Sequence, residues 1–317
     1  MKKEDNNILN SPLFNSDNLT FGPIPSRRFG ISLGVDLSPN SKQCNFDCLY
    51  CELKPSKTVS HMSQYPEVSQ FIEAIQKAFV KHPKIDVITV TANGEPTLYP
   101  LLDELIVEIN AIKGSAKTLI LSNGGTIYKK EVFNALLKFD TVKLSLDCIS
   151  DACFKKLDRI NASVDCKQIV QSMKEFKEQT QNTFVLEVLF VKELNDTKEE
   201  IALLYEAIKQ INPHRVDIGT IDRPPAYKVQ PISYEALEII ANSFKGINVN
   251  IAYKNRPKQT NGYSEEEILT LLKRRPLTFE DIENLFDEKS KNLLENLVKN
   301  KEISVVDCSG VNFYKFL

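Results

Sequence analysis

The chain has 317 residues, of which 42% are hydrophobic and 26% are charged, with 40 basic and 42 acidic side chains. This composition excludes a disordered, collagen-like or low-complexity chain, and the length suits one large domain or two. The formal net charge of −2 gives no overall attraction to nucleic acid or to an anionic membrane, so either partner would need a local patch.

The N-terminal residues and the apolar runs indicate the cellular compartment in which the protein is expected. Residues 1–7 are polar and lack the apolar centre of a signal peptide. The longest apolar run, residues 184–191, includes Glu187 and is far too short to cross a bilayer. We therefore expect a soluble, cytoplasmic protein that makes no contact with a membrane.

Short β-branched runs alternate with segments of helical period from about residue 30 to residue 252. Predicted strands cover residues 31–37, 85–91, 117–122, 141–146, 183–191 and 215–220, with a weaker one at 247–252. Apolar side chains at helical spacing predict helices over residues 68–79, 101–109, 169–176 and 201–211. Six strand–helix repeats predict an α/β protein with a parallel sheet and right-handed crossovers. Periodicity alone leaves both a doubly wound sheet and a closed or partly closed barrel open.

The C-terminal part has a different pattern. Residues 255–263 are polar and rich in turn formers, which predicts a linker. Three helices are predicted around residues 265–273, 278–286 and 288–300, and a β-ribbon over 302–317. This order predicts a winged-helix-like domain. The expected organisation is an N-terminal extension (1–20), a core (21–254), the linker (255–263) and the winged-helix-like domain (264–317).

The charge of that last domain argues against DNA binding. Residues 264–317 contain eight Lys or Arg and eleven Asp or Glu, and residues 287–300 contain three of each sign. A helix that reads DNA needs a basic face to offset the phosphate charge. We therefore expect a module that contacts protein or presents substrate.

The strongest motif in the chain is Cys44-Asn45-Phe46-Asp47-Cys48-Leu49-Tyr50-Cys51, which follows the first predicted strand. Clustered thiols in a reducing compartment are typical of metal-binding or catalytic sites. A structural zinc site normally takes four ligands, and the sequence has neither a second CxxC nor a histidine at a suitable spacing. Three thiolates suit an iron–sulfur cubane that keeps one iron open to another ligand.

Other unusual segments also follow predicted strands. They are residues 92–98, 122–125, 145–147, 192–196 and 221–225. Since the carboxyl ends of parallel strands meet at one edge or one mouth, we expect these loops and the cysteine loop to converge on one face.

With these motifs the sequence resembles the radical S-adenosylmethionine (SAM) superfamily. The cysteine triplet carries the resemblance, with an aromatic residue before its last Cys. The segments FGPIPSRRFG (21–30), GEPTL (94–98) and RPP (223–225) make it similar to a subgroup of radical SAM proteins related to wyosine-tRNA synthetases. The resemblance covers about residues 20–250 and implies a partial (β/α)6 TIM-like barrel.

The resemblance implies a role for each matching residue. Cys44, Cys48 and Cys51 would ligate three irons of a [4Fe-4S] cluster, and SAM would chelate the fourth. The implied SAM contacts are Tyr50 near the adenine, the backbone of Asn93, Gly94 and Glu95 at the methionine group, Asn123, and Ser145 with Asp147 at the ribose. The glycine-rich adenine motif of the family is not recognisable in residues 186–190.

The implied reaction is reductive. A flavodoxin- or ferredoxin-like protein would supply one electron, SAM would be cleaved to a 5′-deoxyadenosyl radical, and the radical would abstract hydrogen from an unidentified substrate. The subgroup suggests a tRNA or a modified nucleotide. The alternative is a non-catalytic iron–sulfur or zinc-binding protein that serves electron transfer or regulation.

Several weaker candidates complete the analysis. Arg27, Arg28 and Arg223 are expected to bind substrate or the SAM carboxylate, because guanidinium grips carboxylate and phosphate in a bidentate way, although surface ion pairing is an equal alternative. An auxiliary cluster of Cys148, Cys153 and Cys166 is conceivable, but their spacing favours thiols that pack as small hydrophobic groups.

Overall fold

The computed structural model of the chain describes residues 18–26, 29–251, 260–274, 276–308 and 311–317. Eight strands form one sheet in chain order, from β1 at one edge to β8 at the other. The first pair is antiparallel, and all later neighbours in this sheet are parallel. The strands are β1 (Thr20–Ser26), β2 (Gly30–Asp36), β3 (Val87–Thr91), β4 (Lys117–Ser122), β5 (Thr141–Ser145), β6 (Thr183–Phe190), β7 (Arg215–Thr220) and β8 (Val249–Ile251).

Helices connect the parallel strands, and the longer ones bury apolar side chains on one face. They are α1 (Val68–Lys81), α2 (Leu102–Ile112), α3 (Lys130–Leu136), α4 (Asp151–Cys153), α5 (Cys166–Gln179), α6 (Lys198–Ile211) and α7 (Tyr234–Ser243). A short helical turn over residues 154–158 continues α4. The apolar spacings therefore predict α1, α2, α5 and α6 correctly, whereas α3, α4 and α7 were not predicted.

The side chains along each strand alternate between two environments, because successive side chains of a strand point to opposite faces of the sheet. In β3, Ile88 and Val90 are fully buried in the main hydrophobic core, whereas Thr89 and Thr91 line a cavity of about 880 Å³. The same alternation puts Lys143 of β5 and Glu187 of β6 on the cavity side. The sheet thus curves around this cavity with its helices outside, which confirms the predicted TIM-like α/β architecture.

The C-terminal part contains the predicted three helices and hairpin. They are α8 (Glu265–Arg274), α9 (Phe279–Leu285), α10 (Glu288–Lys299), β10 (Ile303–Cys308) and β11 (Val311–Phe316), with a short β9 (Leu277–Thr278) that pairs with β11. Thr278 and Asp281 form a capping box at α9. The winged-helix assignment and the domain boundaries stay predictions.

This C-terminal part packs against the first strand of the barrel. Ile24 of β1 belongs to the same buried apolar cluster as Ile268 and Phe286, and the Tyr263 hydroxyl donates to the Pro23 carbonyl at 3.1 Å. Lys81 at the end of α1 pairs with Glu267 of α8. No helix in the described part of the chain is both long and apolar enough to span a membrane.

Candidate functional site

The cysteine loop lies across the carboxyl end of β3. The Gln43 amide donates to the Asn93 carbonyl at 3.0 Å, and the Glu95 amide donates to the Gln43 carbonyl at 2.9 Å. Gly94 sits between them with φ of +136°, and a Cβ there would lie 2.0 Å from the Gln43 carbonyl oxygen. Only glycine fits this position. Gly94 thus makes a close approach to the backbone of Gln43, the residue before Cys44.

Backbone hydrogen bonds also hold the other side of the loop. The amides of Asp47 and Leu49 donate to the carbonyls of Asp158 and Leu157 at 3.1 Å and 2.9 Å. The Cys51 carbonyl accepts from the Ala226 amide at 2.8 Å. The loop is therefore attached to residues 93–95, which belong to a segment expected to converge here, and also to residues 157–158 and 226, which lie beyond the expected segments 145–147 and 221–225.

The three thiols of the loop are free, and polar hydrogens approach two of them. Cys44 Sγ accepts from the Phe46 amide at 3.4 Å and from Asn123 Nδ2 at 3.6 Å, and Lys42 Nζ lies 3.7 Å from Cys51 Sγ. Burial raises the pKa of Cys44 to about 12, and it also raises the pKa of Cys48 and Cys51. A buried thiol resists ionisation unless a cation replaces its proton.

This donor set fits an iron–sulfur cluster. Three soft sulfur donors lie on one restrained loop, and N–H groups are directed at the sulfurs as in iron–sulfur proteins. Among the described residues, the only group of three or more metal-ligating side chains whose ligand atoms lie within 4.8 Å of one another is Cys148, Cys153 and Glu200, so the three sulfurs of the cysteine loop are spaced more widely than this. That group includes a disulfide and so offers no pair of thiolates.

Glu95 joins the ends of two strands from a position that is only 1% exposed. Its Oε1 accepts from the Thr97 amide at 2.9 Å and from the hydroxyls of Thr97 and Ser122 at 2.6 Å and 2.7 Å, and its Oε2 accepts from the Asn123 amide at 2.8 Å. Burial raises the pKa of Glu95 in spite of these bonds. The Glu95 side chain therefore fixes the loops after β3 and β4, and Asn123 presents its amide to the cysteine loop.

Asp147 links the cysteine loop to the ends of β5 and β6. Its carboxylate accepts from the Tyr50 hydroxyl and, at 2.7 Å, from the Leu189 amide, while Asn195 Nδ2 donates to its carbonyl at 2.9 Å. Burial raises the pKa of Asp147 to about 7. Ser145 ends β5 opposite Glu187 of β6. The structure thus brings Tyr50, Ser145 and Asp147 to the same mouth of the barrel.

Arg223 is positioned by an ion pair beside the last cysteine. Its Nη1 lies 2.9 Å and 3.1 Å from the two carboxylate oxygens of Glu52, the residue after Cys51. The pKa of Arg223 is raised above its ordinary value, mainly because the carboxylate of Glu52 lies beside it. Arg223 also lines the cavity, so its role in substrate binding stays a prediction. Arg27 and Arg28 lie outside the described residues.

Cys148 and Cys153 form a disulfide. Their Cα atoms are 5.5 Å apart, which is within the ordinary range for such a bond. The expectation of free thiols at these two positions is therefore wrong: the turn after β5, which the spacing of the cysteines does not reveal, brings their sulfurs together. Glu200 anchors the same turn by accepting from the amides of Ile149 and Ser150. Cys166 is a free cysteine.

The cavity is lined by both polar and apolar side chains, which come from both parts of the chain and include Glu52, the residue after Cys51. On its wall Lys143 pairs with Glu187 and lies 3.3 Å from Asp217. Thr270 and Lys273 of α8 also line the cavity. The C-terminal part therefore forms a section of the cavity wall.

Sequence reasoning missed several residues around the cysteine loop. Asp47 accepts from the Tyr227 hydroxyl at 2.5 Å, and Arg159 lies 3.3 Å from the same carboxylate and above the Tyr227 ring. Lys42 lies 3.3 Å from the other carboxylate oxygen. Asp47 and Lys42 could have been found from the sequence, because they lie within or beside the cysteine motif. Arg159 and Tyr227 could not, because each lies more than a hundred residues from that motif along the chain.

Comparison with known proteins agrees with this geometry. The Radical SAM superfamily model matches residues 41–207. A UPF0026 protein of Helicobacter pylori (strain ATCC 700392 / 26695) is 41% identical over 299 residues, which cover 93% of this chain and 97% of the relative. The "Probable dual-specificity RNA methyltransferase RlmN" of Fervidobacterium nodosum is 26% identical over 174 residues, covering 52% of this chain and 48% of the relative.

Among solved structures, Streptococcus suis SuiB superposes with a TM-score of 0.55 at 18% sequence identity, covering 72% of this chain and 50% of that chain. This likeness shows the fold. Enzymes of the matched superfamily use a [4Fe-4S] cluster and SAM. The cysteine loop at the barrel mouth and the match over residues 41–207 together assign the chain to the radical SAM superfamily.

Proposed function

We propose that this radical SAM enzyme holds its [4Fe-4S] cluster through Cys44, Cys48 and Cys51 and acts on a substrate bound in the barrel cavity. The observation that carries the proposal is the position of the three free thiols, on one restrained loop at the carboxyl ends of parallel strands. When bound, the cluster and SAM supply the one-electron chemistry that removes a hydrogen atom from the substrate.

The protein's own side chains orient and enclose the reactants. The hydrogen bonds of Glu95 and Asp147 hold the loops after β3 to β6 at fixed positions around the cysteine loop. Orientation of this kind is the protein's share of the work when a cofactor carries the difficult chemistry. We assign SAM binding to the mouth that these loops form, with Tyr50, Asn123 and Ser145 as its neighbours.

The cavity indicates a polar substrate. Lys143 and Glu187 place a cation and an anion on its wall, and the Glu187 side chain keeps 43% of its surface exposed. Our proposal for the substrate is RNA or a modified nucleotide, and the RNA methyltransferase among the relatives supports it. Residues 264–317 contribute Thr270 and Lys273 to the wall and would present the reacting nucleotide to the barrel, while their surplus of acidic side chains leaves contact with the RNA backbone to other surfaces.

A soluble one-electron donor of the flavodoxin or ferredoxin type completes the proposed cycle in the cytoplasm. The test uses protein reconstituted with iron and sulfide under anaerobic conditions, then treated with dithionite and SAM. We expect 5′-deoxyadenosine by mass spectrometry from the wild type and from Cys166→Ala, and none from Cys48→Ala. An intact cluster that gives no 5′-deoxyadenosine would contradict the enzyme assignment and favour an electron-transfer protein.

A further inference from the structure

A lysine side chain approaches one sulfur of the cysteine loop from inside the protein. Lys42 has only 8% of its side chain exposed, and its ammonium lies 3.7 Å from Cys51 Sγ. This distance suits an N–H···S hydrogen bond that carries a full positive charge. Lys42 comes two residues before Cys44, so the same short loop provides both the ligands and this donor.

A buried carboxylate keeps the ammonium in place. Lys42 Nζ lies 3.3 Å from Asp47 Oδ1, and Asp47 is only 7% exposed. The other oxygen, Asp47 Oδ2, accepts from the Tyr227 hydroxyl and lies 3.3 Å from Arg159 Nη1. Two cations therefore share one carboxylate, so Asp47 fixes the position of Lys42 without cancelling the positive charge that faces Cys51.

The three cysteines differ in their polar neighbours. Cys44 receives a neutral amide donor from Asn123, and Cys48 lies beside the carboxyl of Asp158. Cys51 is thus the cysteine of this loop with a cationic donor at its sulfur. Net charge and hydrogen bonds to the sulfurs are among the factors that set the reduction potential of an iron–sulfur cluster. A cation beside a ligand sulfur stabilises the reduced cluster, which carries one more negative charge.

We propose that Lys42 is a positioning residue that raises the reduction potential of the cluster through its hydrogen bond to Cys51, an inference that rests on the proposed function. Its effect is to let a soluble donor reduce the cluster more easily. A purely structural lysine would affect only assembly of the loop and would leave the potential unchanged once the cluster was assembled, since Arg159 still pairs with Asp47 when Lys42 is replaced.

The experiment compares Lys42→Met, Lys42→Arg and the wild type after anaerobic reconstitution. Lys54→Met is the matched control, because Lys54 is an exposed lysine three residues after Cys51. Iron and sulfide are measured first, and the midpoint potential is then obtained by redox titration followed by electron paramagnetic resonance, without SAM. We expect a more negative midpoint for Lys42→Met, and a midpoint near that of the wild type for Lys42→Arg and Lys54→Met.

An unchanged midpoint in fully loaded Lys42→Met would overturn the inference and leave the proposed function intact. If Lys42→Met does not hold four irons, Lys42→Gln is titrated in its place, since it keeps a neutral donor and loses the charge. Failure of both neutral variants to bind iron, where Lys42→Arg binds it, would also overturn the inference, because Lys42 would then serve assembly. A wild type that binds no cluster would instead overturn the proposed function, and the inference with it.

Discussion

Replacement of Glu95 by alanine tests whether this residue organises the site or binds the cofactor through its side chain. The carboxylate accepts hydrogen bonds from two backbone amides, Thr97 and Asn123, and from two hydroxyls. The Thr97 hydroxyl can turn to its neighbour Thr126 at 2.5 Å in the variant. The amides of Thr97 and Asn123 cannot turn in this way, because each N–H belongs to the backbone.

The loss of stability expected in Glu95→Ala follows from these two amides, which lose their acceptor. Each buried donor left without an acceptor costs about 1–3 kcal/mol, so Glu95→Ala should lower the free energy of unfolding by about 2–6 kcal/mol. Glu95→Gln keeps the volume and one acceptor oxygen, and it should lose about 1–3 kcal/mol from the single unmatched contact. The order of stability is therefore wild type, then Glu95→Gln, then Glu95→Ala.

The assay is urea unfolding of the metal-free protein followed by circular dichroism, with Glu108→Ala on the exposed side of α2 as the control. Iron uptake on reconstitution is measured in parallel, and we expect it to fall with stability, since Glu95 fixes the contact of residues 93–95 with the cysteine loop. A Glu95→Ala protein within about 1 kcal/mol of the wild type, below the cost of one unsatisfied donor, would refute the reasoning. Weakened SAM binding at full stability would show instead that the side chain acts on the cofactor.

Three further predictions concern the surroundings of the cluster loop. Cys48→Ala should abolish the visible absorbance and the bound iron of reconstituted protein, whereas Cys153→Ala should retain both, and loss in the second variant would revive an auxiliary site. Asp147 has a folded-state pKa of about 7, above its ordinary value of 3.8, so its contribution to stability is present below about pH 4 and is lost as the pH rises through 7. The unfolding free energy of metal-free protein should therefore fall less steeply between pH 4 and pH 8 in Asp147→Asn, and equal slopes would contradict the buried position. Glu52→Gln and Arg223→Met should show a coupling of about 0.5–1 kcal/mol in a double-mutant cycle of urea unfolding, and strict additivity would show that Arg223 does not act through Glu52.

The parallel α/β sheet could be predicted because its signals are local. Strands and helices are each visible within about ten residues, and the order of six repeats then favours a parallel sheet with right-handed crossovers. The barrel itself followed from the resemblance to a family, because periodicity left a doubly wound sheet open as well. The face of the site could be predicted because the carboxyl ends of parallel strands meet at one mouth. The cysteine loop and the loop at Gly94 do meet there, through hydrogen bonds between Gln43 and residues 93–95.

The first strand escaped prediction because β1 contains Pro23 and Pro25, which remove two amide donors from a strand. An edge strand tolerates this loss, and β1 lies at the edge of the sheet. Its position as an edge depends on how the sheet assembles, which no local pattern reveals.

The partners of the site residues escaped prediction because they are distant in sequence. Tyr227 is 180 residues from Asp47, and Arg223 is 171 residues from Glu52. A side-chain pair of this kind depends on the closure of the barrel, which brings the loop after β7 over the cysteine loop. The motifs predicted the region of the fold in which Glu95 and Tyr50 lie, but they did not predict which groups these two side chains contact by hydrogen bonds.

The most direct test of the account is whether a cluster held by three cysteines keeps one iron open for SAM. Reconstituted wild type should bind four irons, and addition of SAM should change the electron paramagnetic resonance signal of the reduced cluster. Alanine variants of Cys44, Cys48 and Cys51 should each lose the cluster, and Cys166→Ala should behave like the wild type. A four-iron cluster whose signal does not respond to SAM, or one that survives loss of any of the three cysteines, would contradict the account.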